Sequence, residues 1–295
     1  AGSIKSNTFE MTLGANWIQK KDFTWNSNIV FSRIRQSIKD LPIAPFLYDD
    51  AAMGDQKLFY IRAGETYGVI YGHRFVKTLE EMAKQLPSGK NIGDYEVNSE
   101  GYVVPAGSQG TVNELPVLLK DETGATWYGK IGDGNANFLM GIANTFNYKD
   151  FTFYFLLDWK QCGVVYNGKD QRLAFNNTSA RQDMYNVPQS QKKTYDYWFS
   201  GMYDKNDPNE YWVEDATYLK VREVALGYSL PKSTLNKIFN GFIKGVDFKV
   251  VGRNLLTFTK YTGYDPEVGS LRMPYDGIYM NPNYRDIALS LGLRF

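Results

Sequence analysis

The chain has one cysteine, Cys162, and one histidine, His73, among its 295 residues. A single thiol excludes an internal disulfide framework. A single imidazole, lodged in YGVIYGHRFVK, would need a Ser and an acid brought to it by the fold, and no nucleophile elbow is present. A packed or hydrogen-bonded His73 and a small buried or loop-facing Cys162 are the readings these contexts favour. Charge of one sign is equally scarce: a formal net charge of +1 provides neither a basic surface for nucleic acid nor an acidic tail. No apolar run reaches the roughly 18 residues of a spanning helix. That excludes a transmembrane helix without excluding a membrane, because a barrel strand needs only about 9–11 residues with every second one apolar. The opening AGSIKSNTFE has neither a charged n-region leading into an apolar run nor a cleavage pattern, so any export signal is expected upstream of it.

Aromatic residues are abundant, with 22 Tyr, 18 Phe and 6 Trp making 16% of the chain, and they fall into strands of period two. Phe9, Met11, Leu13, Ala15 and Trp17 share one face; QKKD turns the chain, and Phe23, Trp25, Ile29 and Phe31 face away from Thr24, Asn26 and Asn28. A second hairpin places Phe138, Met140, Ile142, Phe146 and Tyr148 before a turn at Lys149 and Asp150, and Phe151, Phe153, Phe155, Leu157 and Trp159 after it. In the third pair the register slips near Arg222, as at a β-bulge, before Val224, Leu226, Tyr228 and Leu230 align; Val246, Phe248 and Val250 follow. The last strand, RDIALSLGLRF, sets Ile287, Leu289, Leu291, Leu293 and Phe295 against Asp286, Ala288, Ser290, Gly292 and Arg294. Asp286 and Arg294 avoid the apolar face, where an Arg or Lys at mid-bilayer would cost about 2–4 kcal/mol.

The connections alternate short and long. Residues 41–135, 166–215 and 261–283 are long and rich in Gly, Pro, Asp, Asn and Tyr. A soluble sandwich has little reason to keep this asymmetry, whereas outer-membrane barrels have short periplasmic turns and long extracellular loops. Aromatics at strand ends, among them Trp17, Phe23, Tyr148, Phe151, Trp159 and Tyr228, stand where interfacial girdles would lie.

Six segments in order, AGSIKSNTFEMTL, GETYGVIYGHRF, NFLMGIANTFNYKDFTFYFLLDW, DATYLKVREVALGYSLP, VVGRNLLTFTKYTGYDPEV and LSLGLRF, resemble the C-terminal part of SusC/RagA-family TonB-dependent outer-membrane transporters across nearly the whole chain. The resemblance implies that residues 1–295 are the C-terminal part of an all-β, antiparallel transmembrane barrel, about the last eight strands of a plugged barrel of some 22 strands. Plug, TonB box and signal peptide would then precede this chain. It implies a nutrient importer and not an enzyme, in the outer membrane of a Gram-negative, Bacteroidetes-like bacterium. Its partners would be outer-membrane lipid, TonB through the N-terminal part, a SusD-like surface lipoprotein, and an oligosaccharide or peptide ligand, and transporter–lipoprotein pairs could dimerise; no nucleic acid, metal or cofactor is implied. The terminal strand, with Leu289, Leu291, Leu293 and Phe295, looks like the signal read by the barrel-assembly machinery. A small outer-membrane barrel enzyme and a soluble β-sandwich binding module are the alternatives.

Flat rings with polar tips stack on sugar faces or peptide side chains, which makes loop aromatics candidates for contact with substrate or lid. Tyr67, Tyr71 and Arg74 in the glycine-rich GETYGVIYGHRF are expected to approach the lumen, with Trp127, Tyr128, Tyr197 and Trp198 beside them as further candidates. DGNAN imitates the start of a calcium loop, but Phe138 stands where the sharp turn requires Gly. DKNDPNEYWVED, from Asp204 to Asp215, reads as a solvated, partner-facing acidic loop.

Overall fold

The computed structural model describes residues 2–48, 57–203, 208–240, 242–270 and 273–295. In chain order the strands are β1 (Ser3–Gln19), β2 (Phe23–Asp40), β3 (Phe46–Tyr48), β4 (Phe59–Ile61), β5 (Val69–His73), β6 (Tyr95–Val97), β7 (Val103–Pro105), β8 (Tyr128–Asp133), β9 (Phe138–Tyr148), β10 (Phe151–Gln161), β11 (Val164–Tyr166), β12 (Val213–Asp215), β13 (Tyr218–Ser229), β14 (Gly245–Thr259) and β15 (Asp286–Arg294). Among the described residues three α-helices interrupt them: α1 (Leu79–Ala83), α2 (Gly168–Phe175) and α3 (Lys232–Phe239).

Seven long strands form one antiparallel sheet in the order β1-β2-β9-β10-β13-β14-β15, one fewer than the eight or so expected. Directly paired residues in such a sheet share a face, so the register can be read straight across it. Leu13 lies opposite Ile29, Ile29 opposite Ile142, Ile142 opposite Leu157, and Leu157 opposite Val221. Val221 in turn faces Leu256. A second row runs from Phe146 through Phe153 and Leu226 to Val250 and Leu289. The result is a continuous apolar face. The soluble-sandwich alternative requires a second layer over it, yet Leu13 is 53% exposed, Ile287 72% and Leu289 81%. A face of this extent is stable against hydrocarbon and a liability in water.

Four polar side chains of that face, near its short-turn end, are paired among themselves. Asn144 accepts hydrogen bonds from Trp25 Nε1, at 2.9 Å, and from Ser27 Oγ, while Trp17 Nε1 donates to Ser27 Oγ at 2.9 Å. In hydrocarbon each of these groups, left single, would cost several kcal/mol. Trp17 is itself the extra residue of a bulge between Asn16 and Ile18.

At one end of the sheet the connections are short. Tyr148 pairs with Phe151 across Lys149 and Asp150, and Lys149 takes the left-handed conformation at φ 51°. Neighbouring turns are stitched by Lys149 N–H to Asp22 O and by Ser229 N–H to Asp150 O, both 2.9 Å. The connection from β13 to β14 carries α3, which alternation alone gives no means of finding. It begins after Pro231 and ends at Asn240, whose left-handed φ of 47° lets its N–H reach Asn236 O.

At the other end, the three long connections build a folded cap. It contains a four-stranded sheet, β3-β4-β5-β8, and the pairs β6-β7 and β11-β12. Leu58, Phe59, Ile70 and Phe75 from the first connection, Tyr166, Tyr197, Trp198 and Trp212 from the second, and Tyr275 from the third share one buried core. None of these core residues belongs to the long strands. Segments expected as loops therefore fold on one another, because together they supply the aromatic area that no one of them could bury alone.

Candidate functional site

Alternation in β5 sends Ile70 into the cap core and turns Tyr71 and His73 to the other side of the strand. There the rings form a row: Tyr60 to Tyr71 at 4.8 Å between centroids, Tyr71 to Tyr128 at 6.4 Å, and Tyr128 to His73 at 5.1 Å. Arg62 stands over Tyr60 and Arg74 over Trp127, each at 5.6 Å. The Tyr71 hydroxyl donates to Glu65 at 3.0 Å, and Arg62 pairs with the same carboxylate. Burial first, then the Glu65 carboxylate, pushes the Tyr71 phenol above its usual range, so it remains a donor. His73 Nδ1 lies 3.1 Å from Trp127 O; a carbonyl can only accept, so Nδ1 carries the proton of this hydrogen bond. Arg74 and Lys77 both reach Glu210, at 3.4 and 3.0 Å. The surface offers ring faces, guanidinium donors and one imidazole, which suits binding by stacking and hydrogen bonds.

Of the residues singled out in the sequence, Tyr71, Arg74, Trp127 and Tyr128 come together here, with Tyr128 39% exposed and Tyr71 only 8%. Tyr67 lies outside the row: its N–H donates to Gln36 O at 3.0 Å, and its carbonyl accepts from Asn135 Nδ2. Gly72 of this motif is closely covered. A Cβ at Gly72 would stand 2.6 Å from Pro208 O, and His73 N–H bonds the same carbonyl at 2.8 Å, so the close approach is to the neighbouring chain segment. Tyr197 and Trp198 require a correction. They are 0% and 2% exposed within the cap core, in a short helical turn at Tyr197–Gly201, and the Tyr197 hydroxyl is spent on Glu100 at 2.7 Å. Neither offers a ring face to a ligand.

The acidic segment also differs from its reading. Asp204 and its next three residues lie outside the described residues. Glu210 and Glu214 are not solvated: Glu210 additionally accepts from Phe75 N–H at 3.1 Å, while Glu214 binds Arg181 at 2.7 Å and Thr262 N–H at 2.8 Å. They tie the connections to one another. In DGNAN, Asp133 turns inward on Asn135 N–H at 3.0 Å and Lys130 at 3.0 Å.

Tyr60, Glu65 and His73 were not apparent as one site, since only the pairing of β4, β5 and β8 brings them together. A second cluster was equally hidden. The bulge at Arg222 interrupts the pairing of β13 with both neighbours and releases its guanidinium to Asp158, at 2.7 Å through Nε, and to Glu267. Lys220, 2% exposed, binds Asp265 at 2.5 Å and Glu267 at 2.9 Å. LKVRE on the wall and GYDPE in the third connection are thus the two halves of one charge cluster.

No protein-family model matches the chain. Over its whole length it is 27% identical to the TonB-dependent receptor P3 of Formosa agariphila, and over 99% of it 24% identical to the TonB-dependent receptor SusC of Bacteroides thetaiotaomicron. It covers 29% and 26% of those proteins, so the chain spans less than a third of the curated relatives it matches. Among solved structures, all of the chain superposes on 29% of a chain of the RagAB peptide importer in its open-open state, with a TM-score of 0.65 and 17% identity. The closed-closed state of the same importer gives a TM-score of 0.64. With the exposed apolar face, the seven-stranded register and these full-length matches together, the chain has the fold of part of a TonB-dependent β-barrel and is similar throughout to TonB-dependent receptors, SusC among them.

Proposed function

We propose that residues 1–295 are the C-terminal part of an outer-membrane nutrient importer's barrel, acting with a plug and TonB-contacting region outside this chain. The observation that carries this reading is the uncovered apolar face across seven strands, with long connections gathered at one end and short turns at the other. The cap then lies on the extracellular side, where a SusD-like lipoprotein delivers oligosaccharides or oligopeptides, and such pairs associate as dimers. Similarity to a structure titled as a peptide importer supports the peptide class, and the lipoprotein partner and the oligosaccharide class follow from the sequence resemblance. Tyr71, Arg74, Trp127 and Tyr128 are the contacts for ligand or lid, and Leu289, Leu291, Leu293 and Phe295 form the assembly signal. The host is a Gram-negative, Bacteroidetes-like bacterium.

The test uses the full-length receptor with its lipoprotein, in cells with and without TonB. Fluorescent oligopeptides and oligosaccharides should be taken up only when receptor and TonB are both present. Uptake of neither class, or uptake independent of TonB, would refute the reading.

A further inference from the structure

We propose that the short-turn end of the sheet is a binding site for anionic glycerophospholipid, with α3 lying along the headgroup layer. This rests on the barrel reading above, which makes that end periplasmic. From Leu230 to Val246 the chain carries Lys232, Lys237 and Lys244 and no carboxylate. Among the described residues, none of these three ammonium groups has an ion pair or a hydrogen bond. Leu235, 2% exposed, holds the helix down, while Ile238 and Phe242 are 62% and 73% exposed.

Those two apolar side chains are not an isolated patch. Phe242 packs edge-on against Phe295, with centroids 5.6 Å apart, and Phe295 prolongs the row Leu289, Leu291, Leu293 on the apolar face. The hydrocarbon-facing surface therefore runs unbroken from the sheet onto this connection, and the unpaired lysines stand at its border. Apolar residues entering the acyl boundary beside lysines that meet phosphates is how an amphipathic helix engages an anionic leaflet. A protein occupant would have to sit within the edge of the bilayer to cover Phe242 and Phe295 together. The adjoining turn adds Lys149, held over Tyr148 at 5.4 Å, to the same border.

The experiment compares dioleoyl phosphatidylglycerol with dioleoyl phosphatidylcholine, which share acyl chains, by native mass spectrometry of the full-length receptor. A preference for phosphatidylglycerol is expected. Each lysine near an anionic surface contributes about fivefold, so Lys232→Gln, Lys237→Gln and Lys244→Gln combined should reduce the preference roughly 100-fold. An unchanged preference would overturn the proposal. As a second measurement, the indole introduced by Phe242→Trp, read as a difference from the unsubstituted receptor in vesicles, should be quenched by brominated phosphatidylglycerol; an unquenched indole also overturns it. Failure of the receptor to enter vesicles at all would refute the barrel reading itself, a result distinct from an inserted receptor without selectivity.

Discussion

Leu289→Arg and Ser290→Arg place the same charge one residue apart on opposite faces of one strand. Leu289 adjoins the centre of β15, pairs with Val250 and is 81% exposed, whereas Ser290 pairs with Lys249 on the other face. At Leu289 the substitution brings about 2–4 kcal/mol for Arg near the bilayer midplane and forfeits about 1.5–3 kcal/mol of leucine burial, roughly 4–7 kcal/mol together. At Ser290 the main cost is a like-charge pair with Lys249, about 0.2–1 kcal/mol. A urea titration of the folded fraction of the full-length receptor in phospholipid vesicles separates such values readily. Leu289→Arg should abolish or greatly reduce folded barrel and Ser290→Arg should shift the midpoint slightly. Equal damage, or the reverse order, would mean that the face assigned to lipid is the wrong one.

Removing one partner of the buried cluster should be severe: Lys220→Met strands Asp265, whose side chain is 7% exposed, at a cost of about 3–5 kcal/mol, and Lys220→Met with Asp265→Leu should recover part of the lost melting temperature. For Asp265 and Glu267 burial acts to raise the pKa, but the hydrogen bonds from Lys220 and Arg222 prevail and hold both carboxyls below their usual range. Their stabilisation is therefore present above the unfolded pKa of about 4 and is lost as pH falls below it, so the melting temperature should drop on acidification and drop less in Asp265→Asn with Glu267→Gln. An equally steep profile in that variant would refute the assignment. Tyr128→Ala should weaken ligand or lid binding about 2- to 10-fold with melting unchanged, whereas Trp198→Ala should cost about 3–5 kcal/mol of stability because it empties the cap core. Deleting Phe295 should lower the amount of assembled receptor in the membrane fraction, and undiminished assembly would count against its place in the signal.

The wall of the barrel was legible because hydrocarbon imposes a strict period of two, and RDIALSLGLRF or FTFYFLLDW admits one register. Even the bulge at Arg222 showed itself as a break in that period. The cap was not legible. Its strands run to only three to six residues, too short for alternation to speak, and its core draws Phe59, Trp198 and Tyr275 from three distant segments. The aromatic candidates divided along the same line. Tyr71 and Tyr128 stand on paired strands facing away from the core, while Tyr197 and Trp198, of the same aromatic types as Tyr128 and Trp127, were claimed by it. Side-chain type names the candidates; burial, a long-range quantity, decides among them. α3 escaped for another reason, since one short helix between two strands reads as a turn.

The cap's separate core has an evolutionary consequence. Since Phe59, Trp198, Trp212 and Tyr275 bury one another rather than the strands beneath, rim positions such as Tyr185, Tyr264 and Tyr279, each more than 70% exposed, can vary without renegotiating strand register. On the import function proposed above, drift in cargo preference should accumulate at the rim while the lipid-facing ladder stays constant.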